Sequence, residues 1–307
     1  MGFDPEELYE VDSDVPDLHG AVLLHFFEGF MDAGSTGRLV ADHLTSDVEN
    51  RVIARFDVDR LIDYRSRRPP MTYAVDHWED YEAPELAVRL LHDTDGTPFL
   101  LLTGPEPDHE WERFVAAVTQ LVERWGVRLT VGFHGIPMGA PHTRPLGVTA
   151  HATREDLVAG GHQPLPNRMQ VPGSVAALLE YRLGEQGHDA IGFAAHVPHY
   201  LAQSSYPAAA LHVLECVGRA TGLHLPDGEL RVAAQVADAE IDRQVSESDE
   251  VADVVRALER QYDTFVEASG RDSLLAESQE HMPTAEELGS QFERFLAEQG
   301  GGDLPER

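Results

Sequence analysis

Hydrophobic and polar positions divide the chain into three regimes. Between residues 18 and 225, short apolar runs of strand length alternate with stretches of helical period. Residues 21–27 (AVLLHFF) read as a strand; Gly29, Gly34 and the residues between them form a turn, and a helix follows over 35–44. Residues 51–56 make the next strand. Residues 85–92 and 98–103 flank Asp93-Thr94-Asp95-Gly96-Thr97, whose Asp-Gly pair predicts a hairpin and hence a mixed sheet. Trp111, Phe114, Val115, Val118, Leu121, Val122 and Trp125 recur at helical spacing before Gly126. In residues 127–133, Val127, Leu129, Val131 and Phe133 alternate with Arg128, Thr130 and Gly132, the period of a strand. The unit from 99 to 127 is strand, helix, strand, which requires a parallel pair.

Further along, 148–152 and 190–197 read as strands, and 159–167 as a loop. Helices are expected over 175–186, with Ser174 as N-cap, and over 206–220, with Pro207 in the first turn and Gly222 beyond the end. The class is α/β. From residue 229 the strand signals stop, and two apolar stripes over 229–245 and 251–266 predict an antiparallel helical hairpin. Residues 270–283 read as a linker, and Thr284 with Glu287 forms a capping box for a last amphipathic helix through Leu296. The organisation expected is an acidic arm over 1–17, a core over 18–225 and a helical extension over 226–307.

Composition narrows the function. Asp and Glu number 54 against 23 basic residues, a net charge of −31, which repels nucleic acid and anionic lipid. Every basic residue is Arg, so Schiff-base chemistry and the phosphate-loop lysine are excluded. The single Cys216 in an apolar helical run reads as core filling. With no signal-peptide pattern and no long apolar run, a soluble cytoplasmic protein is expected. The 16 histidines include no HExxH and no cysteine cluster, so no metal site and no cofactor are expected.

Candidate chemistry gathers in loops at strand ends, where α/β proteins build sites. Pro137, Pro141 and Pro145 stiffen the loop that carries His142, Thr143 and Arg144. Residues 104–112 add Glu106 and Asp108, placed at the same edge of the sheet as His142 and Arg144. Asp32, Glu106, Asp108 and His142 are the acid or base candidates, and Gly29, Gly34, Arg144, Gly173 and Ser174 the ligand-binding ones. Each has a plainer reading: Asp32 and Ser174 as helix caps, His142 and Arg144 as loop anchors. Arg60, Arg65, Arg67 and Arg68 form the one basic cluster, suited to an acidic partner, to a phosphate or to carboxylates of this chain or a second copy.

Three stretches carry a family likeness: Gly29-Phe30-Met31-Asp32-Ala33-Gly34, then Gly104-Pro105-Glu106-Pro107-Asp108 with Trp111-Glu112, then Gly135-Ile136-Pro137-Met138 running on to Pro141-His142-Thr143-Arg144-Pro145. In this order and spacing the chain resembles the proteasome assembly chaperone 2 family in its actinobacterial branch, over residues 20–220. The resemblance implies a three-layer α/β/α fold like that of nucleoside phosphorylases and hydrolases, and a homo-oligomer such as a trimer. It also implies a binding or assembly protein whose client is a proteasome component. The alternative is a hydrolase or transferase for a small anionic or nucleoside-like ligand at the strand-end loops.

Overall fold

The computed structural model describes residues 4–158 and 169–269. In chain order the strands and helices are β1 (Tyr9–Val11), β2 (Val22–Glu28), α1 (Thr36–Asp47), β3 (Asn50–Phe56), α2 (Val58–Leu61), β4 (Met71–Ala74), β5 (His77–Tyr81), β6 (Ala87–His92) and β7 (Pro98–Pro105). They continue with α3 (Trp111–Trp125), β8 (Leu129–Met138), β9 (Val148–Ala152), α4 (Val175–Glu185), β10 (Ala190–Pro198), α5 (Pro207–Thr221), α6 (Gly228–Ser246) and α7 (Asp249–Ser269). The expected linker and last helix beyond residue 269, and the loop over 159–167, lie outside the described residues.

Eight strands form one sheet in the order β1-β3-β6-β7-β2-β8-β10-β9. The sheet is mixed, as the hairpin signal requires, and β6 and β7 are that hairpin. The parallel character expected for most of it holds at the centre, where β7, β2, β8 and β10 run together. It is corrected at the flanks, where the pairs β1–β3, β3–β6, β6–β7 and β10–β9 are antiparallel. The unit β7–α3–β8 is likewise corrected: its strands are parallel, but β2 lies between them. The acidic arm contributes an element of its own, because β1 pairs with β3 and Leu8 is fully buried.

The central strands are apolar on both faces because helices cover both. On one face Val22, Leu24 and Phe26 pack with Val40 and Leu44 of α1 and Val213 and Val217 of α5. On the other, Leu23 and Phe27 pack with Phe114 and Val118 of α3 and Leu179 and Leu183 of α4. This is the three-layer α/β/α arrangement. Helix α6 adds to the first face through Leu230 and, partly buried, Ile241, and α7 buries Val255 and Leu258. The layering fixes where a site belongs. Neighbouring parallel strands β2 and β7 send their helices to opposite faces, so a crevice forms between their C-terminal ends, the usual ligand position in such sheets.

Candidate functional site at the strand ends

That crevice is filled by the protein itself. Glu106, only 7% exposed, reaches back from the end of β7 with both carboxylate oxygens engaged. One accepts the Phe30 N–H at 3.2 Å, and the other accepts the Val175 N–H at 2.8 Å, in the first turn of α4. A helix start carries partial positive charge and free N–H groups, the arrangement that binds anions. Here the anion is a side chain of the chain. Gly29 is required by this plug: a Cβ there would stand 2.6 Å from the Glu106 carboxylate.

Arg67 locks the plug from outside. Its guanidinium donates to the backbone oxygens of Glu106 at 2.6 Å and Glu28 at 3.2 Å, and pairs with Asp108 at 3.0 Å. The second Asp108 oxygen accepts the Asp63 N–H at 2.7 Å. Ser174 caps α4 through the Ala177 N–H, as its position predicts, and Gly173 sits beside the Trp111 ring. Glu106, Gly29 and the Ser174 turn therefore do come together, joined by Arg67.

Asp32 is a clamp of the same kind. Its oxygens accept N–H groups of Gly37 at 2.8 Å, Arg38 at 3.1 Å and Gly135 at 3.1 Å, tying the start of α1 to β8. Burial pushes its pKa above the usual carboxylate range, against the three N–H bonds that pull it down. Gly34 adopts φ +68°, and its N–H and C=O bond to Ala202 and Tyr206, so its freedom serves a chain crossing.

His142 and Arg144 lie in a separate cluster, which corrects the expectation that Glu106 and Asp108 meet them. Their loop is tied to the C-terminal helices instead. Nδ1 of His142 faces the Tyr200 hydroxyl at 2.6 Å, and Nε2 faces Asp242 of α6 at 3.2 Å. Arg144 bonds both oxygens of Asp263 at 2.7 and 2.8 Å and one of Glu259 at 3.2 Å, all on α7. Burial raises the Tyr200 hydroxyl to about 12 and lifts the nearby Asp238 carboxyl.

The α3/α4 face of the sheet carries polar groups that the sequence reading left unremarked. His25, Gly132, Gly192 and His151 are paired in one row across β2, β8, β10 and β9. Burial, with His134 and His151 nearby, lowers His25 to about 4, and its Nδ1 has no partner among the described residues. His196 bonds Thr149 at 2.8 Å, and among the described residues no group of three or more His, Cys, Asp or Glu is placed to hold a metal ion. Cys216 is buried, and burial pushes its thiol up.

Large apolar side chains are exposed on the two segments that the plug bridges. Phe30, Met31, Met169 and Val171 are exposed at 42%, 43%, 56% and 68%, on the two segments that Glu106 bridges. The stretch just after Arg67 forms the hairpin β4–β5, which shows Met71, Tyr73, Trp78 and Tyr81 to solvent. The sequence carried a signal for it: Met71, Tyr73 and Val75 alternate with Thr72, Ala74 and Asp76. Arg67 was legible only as part of a cluster, since two of its three partners are backbone oxygens and the third, Asp108, lies 41 residues away.

No curated protein matches the chain. Solved structures do. A Mycobacterium tuberculosis protein of unknown function is 50% identical, with a TM-score of 0.81 over 85% of this chain and 92% of that one. A Corynebacterium glutamicum protein of unknown function is 38% identical, with the same TM-score over 85% and 98%. A proteasome-assembly chaperone homologue of M. tuberculosis shares the fold at 23% identity and a TM-score of 0.67, over 76% and 99%. The profile of the PAC2 family matches residues 26–245, most of the chain, and the chain belongs to the PAC2 family.

Proposed function

We propose that this chain is a cytoplasmic binding or assembly protein that grips a protein client at the strand-end edge of its sheet. The observation that carries the reading is the plug. Where an α/β sheet holds a small ligand, Glu106 occupies the N–H groups, while Phe30, Met31, Met169 and Val171 stand exposed around it. A filled crevice with an apolar rim suits a macromolecular surface better than a substrate pocket. The fold shared with a proteasome-assembly chaperone homologue makes a proteasome component the first client to seek, and a homo-oligomer, a trimer first, the working form. The net charge of −31 disfavours nucleic acid and anionic membranes, and no helix among the described residues is long and apolar enough to cross a membrane.

The test is native mass spectrometry of the protein captured gently from its host lysate. Retention of a protein at fixed stoichiometry, lost in Phe30→Asp and Val171→Asp, supports the reading. A discrete small-molecule mass with no protein partner overturns it in favour of a hydrolase or transferase.

A further inference from the structure

The hairpin β4–β5 is separate from the eight-stranded sheet. It is the one two-stranded sheet among the described residues, and every residue of it except Ala74 is exposed, Val75 at 95%. Tyr73 and Trp78 meet edge to face at 5.0 Å across the pair. Isolated hairpins are marginally stable in water, and one carrying four large exposed side chains gains from being covered. Neither strand has a second neighbour, so both edges keep unpaired backbone groups.

Charge identifies what covers it. The hairpin and its return carry Asp76, Glu79, Asp80 and Glu82, so the complementary surface is basic. In this acidic chain such a surface is scarce. Arg65 and Arg68, both exposed, stand at the stem and make no ion pair among the described residues, whereas Arg60 pairs with Glu7 and Glu110, and Arg67 with Asp108. At about 3.4 Å per residue the five residues of β5 carry the tip about 17 Å from the stem. Asp80 and Glu82 lie at the stem end, whereas Asp76 and Glu79, which flank His77, lie towards the tip and beyond the chain's own two arginines. Those of a neighbouring molecule are free to meet the tip.

We infer that the β4–β5 hairpin clasps a second copy of this chain, setting Tyr73 and Trp78 against the neighbour and its acidic tip on the neighbour's Arg65 and Arg68. The inference rests on the oligomeric reading above and supplies its interface. It leaves the rim of Phe30, Met31 and Val171 for the client.

Sedimentation velocity of the purified full chain tests it. The wild type is expected as a defined oligomer and Tyr73→Asp/Trp78→Asp as a monomer with an unchanged unfolding midpoint. Arg65→Glu/Arg68→Glu is expected to weaken association about tenfold, and adding Asp76→Arg/Glu79→Arg to restore it. A monomeric wild type, or an oligomer that neither pair of substitutions moves, overturns the clasp. Client capture is scored separately: a client still retained in that case leaves the binding function standing without it.

Discussion

Two strand-end loops that looked alike in sequence are held by opposite physics. The loop after β7 turns its carboxylates inward, and Glu106 and Asp108 bond to backbone N–H groups and to Arg67. The loop after β8 pairs with carboxylates on α6 and α7, through the buried ring of His142 and the partly exposed guanidinium of Arg144. The difference lies in what is desolvated. Removing a buried acceptor leaves donors unpaired, whereas exposed ion pairs exchange readily for water and salt. The first loop is thus part of the core's architecture, and the second is a fastening for the helical extension.

The sharpest way to break this comparison is Glu106→Ala, which strands the Phe30 and Val175 N–H groups. A loss of about 2–4 kcal/mol in urea unfolding is expected, with Glu106→Gln losing roughly half. A loss indistinguishable from zero would mean that the carboxylate is not structural. Acid probes the same face of the sheet. His25 falls from 6.5 to about 4 on folding, so the unfolded chain binds the proton more readily between those values. The stability due to its neutral form is complete above pH 6.5 and drains as pH falls towards 4, by about 3 kcal/mol. Unfolding free energies measured across that window should slope accordingly, and His25→Asn should remove its share of the slope, leaving that of His134, which burial also lowers to about 4.

Gly29→Ala comes next. Its Cβ would collide with the Glu106 side chain, and about 1–3 kcal/mol of destabilisation is expected in the same urea assay. The smallest effect belongs to the outer loop. Molar salt or Arg144→Ala should speed hydrogen exchange in α7 without touching α3, and equal protection of α7 in low and high salt would contradict the fastening.

What was legible in the sequence follows the same division. Period-2 and period-3.6 patterns located the central strands and covering helices, because those patterns record burial on the sheet, and Ser174 declared its cap. Glu106 and Asp32 were visible as acids at strand ends, but their partners are backbone N–H groups of Val175, Phe30, Gly37 and Gly135, which every residue except proline possesses. Sequence types therefore carry no trace of the pairing. The parallel content was overread for a related reason: the pairing of the flanking strands decides it, and the antiparallel ladders β1–β3, β3–β6 and β10–β9 rest on backbone hydrogen bonds that no side chain announces. Arg144 shows the converse, since its carboxylate partners on α7 lie more than a hundred residues away.

The central claim is that the crevice between β2 and β7 is closed by Glu106, and amide hydrogen exchange at Phe30 and Val175 tests it most directly. Slow exchange is expected at both amides in the wild type, unchanged by inorganic phosphate or a nucleoside monophosphate, and fast exchange in Glu106→Ala. Fast exchange in the wild type that slows when phosphate is added would show an open anion site and contradict the plug.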